Sequence, residues 1–298
     1  MEFSHYSVML KETIEELKVK SDGIYVDGTL GGGGHAYEVC KRLSDAGHFY
    51  GIDQDAAAIA AASQRLSEFG DRVTIIRSNY CEMCKELRDR GVTGVDGIVL
   101  DLGVSSYQLD EADRGFTYRE DAALDMRMDP SNQTLTAAEI VNTYTAADLA
   151  RVIRHYSDEK WASRIADFIV AAREEAPLTS SEQLVDVIKA AVPASARRAG
   201  GHPAKRTFQA LRIDVNSEFE VLEELLEKLP DALAPGGKVA ILTFHSGEDR
   251  LVKHAFKYGK KVGIYSDVAK DVIRPSKEEC AQNGRAKSTK MRWAIKVK

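Results

Sequence analysis

The chain has 298 residues, of which 44% are hydrophobic and 29% are charged, and its formal net charge at pH 7 is −5. These values are those of an ordinary soluble protein, and the length suffices for a full core and for two domains. No stretch approaches eighteen consecutive apolar residues, and the N-terminus lacks a basic region followed by an apolar one, so we expect neither export nor membrane insertion. Four scattered cysteines do not make a disulfide framework, which favours a reducing cytoplasm.

The first predicted elements surround a run of four glycines, Gly31 to Gly34. An apolar strand over 24–30 precedes the run and a helix over 36–44 follows it, so the backbone can approach a ligand where no Cβ intrudes. This pattern is typical of a nucleotide cradle. A flexible linker is the alternative, but linkers are not usually wedged between a strand and a helix without a spacer.

Two acidic residues indicate which nucleotide the loop would hold. Asp53 ends the next predicted strand, over 48–53, where doubly wound folds carry the carboxylate that accepts both ribose hydroxyls. Asp27, at the mouth of the glycine loop, would repel a pyrophosphate but would pair with the ammonium group of a methionine moiety. The glycine spacing also departs from G-x-G-x-x-G. Both observations favour S-adenosylmethionine over NAD or FAD as the cofactor.

Further apolar runs rich in β-branched residues continue the alternation of strands and helices, which predicts an α/β fold with a mainly parallel, Rossmann-like sheet. The further parallel strands are predicted over 73–77, 97–102 and 238–244. Two last strands, over 262–266 and 291–297, are expected as an antiparallel edge. The fourth and fifth strands are separated by more residues than one crossover helix requires, so a second domain is inserted between them.

The inserted segment carries repeated helix-start signals. Thr136, Thr145 and Thr179 each stand three residues before an acidic residue, as in a capping box or its Asp variant. Amphipathic stretches follow these signals, over 147–155, 161–175 and 182–192. No strand pattern interrupts them, so the insert is predicted to be all-helical.

These elements predict two domains. A cofactor-binding domain is formed by residues 1–106 and 206–298, and the helical insert, which would recognise the substrate, covers residues 107–205. A long helix near 206–228, ended by Pro230, is expected to return the chain to the sheet.

Cationic charge is concentrated late in the chain. From Arg250 to Lys298 there are 14 Lys and Arg against 4 Asp and Glu, and residues 197–213 contain five basic residues and no acid. The two segments could form one phosphate-facing surface, which would indicate a nucleic-acid partner, or both could be ordinary solvated faces. The sequence leaves these two interpretations open.

The fourth strand ends in Asp101, and small residues follow it. Because the carboxyl ends of central strands line the ligand crevice of an open α/β sheet, we expect Asp101 to face the reactive end of the cofactor. Enzymes that methylate amino groups of DNA carry a Pro-Pro-aromatic sequence at this point, and this chain does not. Tyr107 and Phe116 are therefore candidates for stacking on a base, with packing of the loop against the insert as the alternative.

Longer motifs make the chain similar to a known family. They are residues 101–130, His5–Leu10, the glycine loop with His35, residues 202–218 and residues 244–250. These ordered motifs cover nearly the whole chain and resemble the bacterial 16S ribosomal RNA cytosine N(4)-methyltransferases, also called the RsmH or MraW family. Gly247 stands where that family usually has leucine.

The resemblance implies a Rossmann-like class I methyltransferase sheet with a helical insert, and S-adenosylmethionine as the cofactor. It implies cofactor contacts at Gly33, Gly34, His35, Asp53, Tyr80, Asp101 and Gln108. The reaction implied is methyl transfer to the exocyclic N(4) amine of a cytidine in the decoding centre of the small ribosomal subunit, with 16S rRNA as the partner. Asp101, together with the backbone carbonyls of 102–104, is the best placed acceptor for that amine and, as a hypothesis, for its proton. No metal-ligand spacing is present.

RNA contacts are expected in the basic segments and beside the fifth strand, at His202, Lys205, Arg206, Phe208, Arg250, Arg285 and Lys287. For the segment from 202 to 208, the alternative is ordinary docking of the return helix. His245, which follows the fifth strand, is a weaker catalytic candidate because a lone histidine is more often structural. The amphipathic surface of the insert suits a homodimer, and equally packing on its own sheet.

Two other functions stay open at this point. One is a non-catalytic factor that binds RNA or assists assembly and keeps the cofactor pocket, against which the intact glycine loop, Asp53 and Asp101 argue. The other is a nucleotide-dependent oxidoreductase, which the departure from the dinucleotide spacing disfavours.

Overall fold

The structure, a computed structural model, describes residues 7–105, 108–109, 111–199 and 201–298. It divides the chain into two units, each with its own interior. The first unit combines Met1–Ser105 with Phe219–Lys298, and the second is Ser106–Glu218. Within the described ranges, the structure contains no helix that is both long enough and apolar enough to cross a membrane.

Seven strands of the first unit form one sheet. In chain order they are β1 Ile24–Asp27, β2 His48–Asp53, β3 Val73–Arg77, β4 Val95–Asp101, β5 Leu233–Thr243, β6 Tyr265–Val268 and β7 Lys290–Lys296. Their spatial order is β3-β2-β1-β4-β5-β7-β6, in which β1 to β5 run parallel and β7 is antiparallel to both of its neighbours. The predicted Rossmann-like sheet with an antiparallel edge is confirmed.

Helices lie before and between these strands in the chain. In chain order they are α1 Leu10–Leu17, α2 Gly34–Cys40, α3 Ala56–Leu66, α4 Met83–Asp89, α5 Ala137–Thr143, α6 Ala146–Ser157, α7 Ala162–Glu175, α8 Ser181–Ala191, α9 Ala194–Ala199, α10 Lys205–Asn216, α11 Glu218–Ala232, α12 Ser246–Lys261 and α13 Lys277–Gln282. The strand β6 begins later than the sequence predicted. Val262 and Gly263 still close the end of α12, through a hydrogen bond from Val262 N to Tyr258 O and a Gly263 φ of 82°.

The central strands are buried on both faces of the sheet, which is why their sequences are apolar without interruption. On one face, Ile98 and Ile241 pack in a cluster with α11 and α12. On the other face, Val99 and Leu242 pack with α1, α2 and α3. Successive residues of β4 and β5 therefore belong to opposite cores, as the two-residue period of a strand requires.

The second unit is all-helical among its described residues, as predicted. Thr136 caps α5 in a capping box with Glu139, and the Thr145 hydroxyl accepts from Asp148 N at the start of α6. The third signal is shifted by one residue: the N-cap of α8 is Ser180, not Thr179, because the Gln183 side chain completes the box. The interior consists of fully buried apolar side chains from α5, α6, α7, α8 and α10, including Ile140, Leu149, Ile165, Leu184 and Leu211.

The helix α10 belongs to the second unit and not, as the predicted boundary at residue 206 required, to the sheet domain. Its last residue, Asn216, fastens the loop before α5: Oδ1 accepts from Met128 N (2.9 Å), and Nδ2 donates to Met126 O (2.8 Å). The single long helix predicted near 206–228 is likewise two helices. Ser217, with φ 48°, separates α10 from α11, and α11 continues through Pro230 to Ala232.

Candidate active site

The glycine loop leaves β1 at the carboxyl edge of the sheet and is held by both neighbouring strands. Gly28 N donates to Val99 O of β4 (3.0 Å), and Leu30 N donates to Ile52 O of β2 (2.9 Å). Gly33, with φ 74°, then precedes α2 in a left-handed conformation that favours glycine. The loop therefore has a defined path between the strands rather than the freedom of a linker.

The glycines of this loop differ in what surrounds them. A Cβ added at Gly28 would lie 2.5 Å from Leu100 Cδ2, so this glycine is required by close packing on the neighbouring strand. A Cβ added at Gly32 would meet no atom of the described residues within 4 Å. The side of Gly32 where a side chain would lie is thus open, as a cradle for a nucleotide requires, while the Gly32 carbonyl accepts from Arg65 Nη1 (3.0 Å).

Three carboxylates end three adjacent strands beside this loop. Asp27 is paired in register with Gly51 of β2 and with Val99 of β4, so Asp53 and Asp101 each lie two residues further along the strands on either side of β1. Two interstrand spacings separate β2 from β4, which puts these two strand ends about 10 Å apart. That span suits an elongated ligand lying across the end of β1.

Asp53 holds the loop and keeps capacity for a ligand. Its Oδ2 accepts from Gly31 N (2.8 Å), and its Oδ1 accepts from Asp55 N (2.9 Å). Burial raises the pKa of Asp53, and the hydrogen bonds from Asp55 and Gly31 oppose that rise. Gln54 N also donates to this carboxylate, and because a carboxylate offers about four lone-pair sites, Asp53 keeps capacity for a ribose hydroxyl.

Thr29 connects the Asp27 carboxylate to the backbone of Asp101 and was not singled out from the sequence. Its hydroxyl accepts from Asp101 N (2.6 Å) and can donate to Asp27 Oδ1 (3.3 Å), and Thr29 N donates to the same oxygen (3.0 Å). The Asp-x-Thr spacing after a strand, which forms a local side-chain turn, was the available signal.

Asp101 carries a buried carboxyl oxygen, Oδ1, that has no hydrogen-bond partner among the described residues. Burial, the charge of Asp27 and the charge of Glu248 raise the pKa of Asp101 to about 8. Burial likewise raises the pKa of Asp27 to about 7. A buried acceptor without a donor is costly, so the site is built for a ligand that supplies a donor or a positive charge.

His35, at the start of α2, faces Asp101 as a neutral side chain. Its Nε2 lies 3.1 Å from Val8 O, and since a carbonyl only accepts, Nε2 carries the proton. Its Nδ1 is therefore the unprotonated nitrogen, and it lies 4.0 Å from Asp101 Oδ2. Burial lowers the pKa of His35 to about 4, so the imidazole stays uncharged at neutral pH.

The two remaining predicted cofactor contacts lie in different units. Tyr80 follows β3 in a short turn capped by Asn79 and is half-buried against the core. Its Cβ lies 3.3 Å from a Cβ added at Gly28, which places the Tyr80 side chain beside the end of β1, where an adenine was expected. Gln108 is 5% exposed in the second unit, and its cofactor contact stays a prediction. Tyr107 lies outside the described residues.

His245 has a structural explanation. It is the N-cap of α12: its ring accepts from Glu248 N at Nδ1 (3.4 Å), and Glu248 Oε2 accepts from Phe244 N (2.7 Å). The ring also stacks on Phe219, with centroids 5.8 Å apart. These contacts give His245 a structural role through Nδ1, but its Nε2 is buried without a hydrogen-bond partner among the described residues, so a catalytic role stays a prediction. Glu248, which is 3% exposed and contributes to the raised pKa of Asp101, is the neighbouring residue that the sequence did not reveal.

Gly247 departs from the family pattern because of the same aromatic ring. A Cβ at Gly247 would lie 2.3 Å from Phe219 Cζ, so the ring occupies the volume of a larger side chain. The departure is thus compensated within the first unit. It does not alter the carboxylates at the strand ends.

Asp249 fixes α12 to the last strand. Its Oδ1 accepts from Arg292 Nε (2.7 Å), and its Oδ2 accepts from Lys290 Nζ (2.9 Å). All three residues are partly or fully buried. Within the motif 244–250, the charged residues Glu248 and Asp249 therefore cap and anchor a helix.

The predicted RNA contacts of the second unit fall into two groups. His202, Lys205 and Arg206 are exposed, and His202 stacks on Tyr118 with centroids 4.6 Å apart. Phe208, in contrast, is 3% exposed and meets Tyr118 edge-on. The expectation that Phe208 contacts RNA is therefore corrected: its side chain is part of the interior. Contacts by the other three stay predictions.

In the first unit, the predicted RNA contacts Arg250 and Lys287 are exposed and Arg285 is half-exposed, so all three can meet a ligand.

The base-stacking candidate Phe116, in the second unit, is 6% exposed, and the Arg114 guanidinium lies 5.7 Å from its ring centroid. Packing, the alternative left open by the sequence, accounts for Phe116.

The fold and the site together define a class. A parallel sheet with a glycine loop after β1 and carboxylates at the ends of β2 and β4 is the nucleotide-binding half of a Rossmann-like enzyme. The partnerless oxygen of Asp101 adds a buried polar acceptor at the edge where such folds bind their ligands.

The chain belongs to the MraW methylase family, which matches residues 2–297. It is 54% identical over 308 aligned positions to "Ribosomal RNA small subunit methyltransferase H 2" of Agathobacter rectalis, covering 98% of each chain. It is 51% identical to "Ribosomal RNA small subunit methyltransferase H" of Lachnospira eligens, covering 98% of this chain and 97% of the relative. The protein of that name from Clostridioides difficile is 47% identical, with full coverage of both chains.

Family membership decides between the cofactors that the glycine loop left open. A methylase needs a methyl donor, so the cofactor is S-adenosylmethionine, and the oxidoreductase alternative is abandoned. The residues present fit this cofactor: an open cradle at Gly32, a carboxylate for the ribose at Asp53, and acidic groups at Asp27 and Asp101 for a cationic end.

Proposed function

We propose that this protein transfers a methyl group from S-adenosylmethionine to the exocyclic N(4) amine of a cytidine in the decoding centre of 16S ribosomal RNA, at position 1402 in the usual numbering. Family membership supports ribosomal RNA as the substrate, because the relatives are named as methyltransferases of the small ribosomal subunit. The amine as acceptor is supported by one observation above all. Asp101 presents a buried carboxyl oxygen with no partner where the cofactor's reactive end is expected.

The cofactor supplies an electrophilic methyl group on a sulfonium. The chain's own residues have three tasks. Asp53 and the glycine loop hold the nucleoside, and Asp27 faces the ammonium end. Asp101 accepts a hydrogen bond from the cytosine amine, whose lone pair is conjugated with the ring and is therefore a weak nucleophile. As the nitrogen–carbon bond forms, the sulfur–methyl bond breaks and leaves S-adenosylhomocysteine, and the proton released from the methylated amine passes to the ionised Asp101 carboxylate.

The raised pKa of Asp101 bears on this role. In the absence of a ligand, a carboxyl group with a pKa of about 8 is mostly protonated at neutral pH and cannot accept a proton. A positive charge nearby favours the ionised form and lowers that pKa. Binding of the cationic cofactor therefore prepares Asp101 as the acceptor, and His35 remains neutral beside it.

The deciding experiment supplies radiolabelled S-adenosylmethionine with unmodified small subunits and, separately, with naked 16S RNA. The labelled nucleoside is then identified by mass spectrometry. Label in N(4)-methylcytidine of the subunits alone is the expected result, and it would make folded RNA the substrate. Cofactor binding without label in either RNA would instead favour the non-catalytic factor.

The variant Asp101→Asn separates catalysis from binding. If Asp101 accepts the proton, the variant keeps its cofactor affinity within about tenfold at neutral pH while turnover falls by orders of magnitude. An equal loss of affinity and of turnover would reduce Asp101 to a cofactor ligand. A small ribosomal subunit as partner, a cytoplasmic location and a homodimer remain part of this proposal.

A further inference from the structure

Beyond its first turn, the exposed face of α12 is entirely cationic or aromatic. From residue 250 to residue 261, every exposed side chain of this helix belongs to one set: Arg250, Lys253, His254, Lys257, Tyr258, Lys260 and Lys261. The acids of the helix, Glu248 and Asp249, are buried in its first turn. We call the exposed set the α12 stripe.

The spacing of the stripe is unfavourable for the helix itself. Lys253, Lys257 and Lys261 follow one another at intervals of four residues, where like charges repel. None of these three makes an ion pair with any acid in the described part of the chain, whereas Lys260 lies 3.6 Å from Asp267. The helix dipole accounts for Lys261 in the last turn, but not for Lys253 in the middle. A local arrangement that weakens its own helix points to a ligand.

The stripe starts beside the active site. The helix α12 follows β5 directly, and Leu242 of β5 is paired in register with Asp101. The helix N-terminus therefore lies at the edge of the sheet that carries the carboxylates. From Arg250 to Lys261 the stripe extends about 16 Å away from that edge, at 1.5 Å per residue.

We propose that the α12 stripe binds the phosphate backbone of the RNA whose target base occupies the active site. This inference rests on the proposed function and adds to it the surface that holds the substrate. A row of cations about 16 Å long matches a polyanion, since duplex nucleic acid carries one phosphate per about 1.7 Å of axis. Tyr258, 64% exposed, adds an aromatic ring on which a base can stack.

An anionic membrane would offer charge as well, but the other face of α12 argues against it. A helix that lies on a membrane inserts an apolar face. Here the apolar side chains of α12, including Val252 and Phe256, are buried in the core of the first unit. What remains exposed is charge with a single ring, which favours a nucleic acid.

The test uses the full chain with three lysines replaced: K253Q/K257Q/K261Q. The matched control, K11Q/K18Q/K85Q, removes the same charge from exposed lysines in α1, at its C-cap and in α4, all in the same unit. Binding to unmodified small subunits is measured across about 50 to 300 mM KCl, together with cofactor affinity, melting temperature and methyl transfer. Binding to vesicles of anionic phospholipid is measured in parallel.

We expect the stripe variant to bind the subunits about tenfold more weakly at 100 mM KCl, with the slope of log Kd against log salt reduced by about 2 to 3. Its cofactor affinity should be unchanged, and its melting temperature equal or higher because a repulsion has been removed. The control should match wild type. If both variants bind RNA alike, or if only vesicle binding responds to the lysines, the inference is wrong. Because binding is read without turnover, an inactive wild type would count against the proposed reaction and not against the stripe.

Discussion

Replacing Asp101 by Asn should remove most of the pH dependence with which the protein binds S-adenosylmethionine. The pKa of Asp101 is raised to about 8, so this carboxyl group is neutral at pH 6 and ionised at pH 9. A cation is attracted only to the ionised form, so affinity rises with pH. Asn mimics the neutral acid at every pH, and the variant therefore serves as the reference for the uncharged site.

The size of the effect follows from the buried oxygen. A hydrogen bond or contact with a charged partner contributes up to about 2.7 kcal/mol, or about a hundredfold in affinity. Weighting that gain by the ionised fraction for a pKa of about 8 gives the expected ratio of wild-type to Asp101→Asn affinity. The ratio is about 2 at pH 6, about 10 at pH 7 and about 90 at pH 9.

Isothermal titration calorimetry at each pH measures both dissociation constants. The amino group of the ligand titrates in the same range, but it does so for both proteins and cancels in the ratio. Asp45→Asn, a change at a fully exposed carboxylate, is the matched control and should show a ratio near one throughout. A ratio for Asp101→Asn that stays flat between pH 6 and pH 9 would refute the assignment of Asp101 as the titrating group at the cationic end.

Three further predictions concern the glycine loop, the loop before α5 and the attachment of α12. Gly28→Ala should lower the free energy of unfolding by about 1 to 3 kcal/mol in denaturant, because the new Cβ meets Leu100. Gly32→Ala should leave the free energy of unfolding unchanged and weaken cofactor binding. The reverse pattern would contradict the assignment of Gly32 to the cofactor cradle. Asn216→Ala should cost about 2 to 4 kcal/mol, since it leaves the backbone groups of the loop before α5 unpaired, and faster proteolysis of that loop is the readout. Asp249→Asn should cost about 3 kcal/mol by leaving buried cations without their counterion. Burial alone would raise the pKa of Asp249, but hydrogen bonds from Arg292 and Lys290 lower it. The stabilisation by Asp249 is therefore present at neutral pH and is lost as the pH falls below about 4. A melting temperature of Asp249→Asn equal to that of wild type at pH 7 would refute the role.

Much of the fold could be predicted from the sequence because strands, turns and helix starts depend on local sequence patterns. Apolar runs with turn residues between them predicted the parallel strands, and the four glycines between a strand and a helix predicted the loop. Capping boxes at Thr136 and Thr145 predicted the starts of α5 and α6. The apolar pattern predicted one helix where the structure has α10 and α11. Ser217 separates them in a left-handed conformation that no local sequence signal indicates.

The domain boundary was misplaced for a related reason. The apolar residues of α10 suit a sheet or a helical bundle equally well, and only their partners decide between them. Asn216 shows where α10 belongs, because its side-chain amide hydrogen-bonds to the backbone of the loop at 126–128 in the second unit. Phe208 shows the same limit: an aromatic in a basic segment is typical of RNA contact, yet its ring is buried within the second unit.

The chemical groups at the strand ends are predictable from the sequence alone, since each of Asp27, Asp53 and Asp101 closes a recognisable apolar run beside or after the glycine loop. Their protonation and their partners depend on the tertiary structure. Burial and the charge of Asp27 raise the pKa of Asp101, Glu248 adds a charge from a helix that is distant in the chain, and Thr29 joins the Asp101 backbone to the Asp27 carboxylate. Such properties depend on which groups meet in space and on how much water reaches them, and neither is encoded in any one segment of the chain.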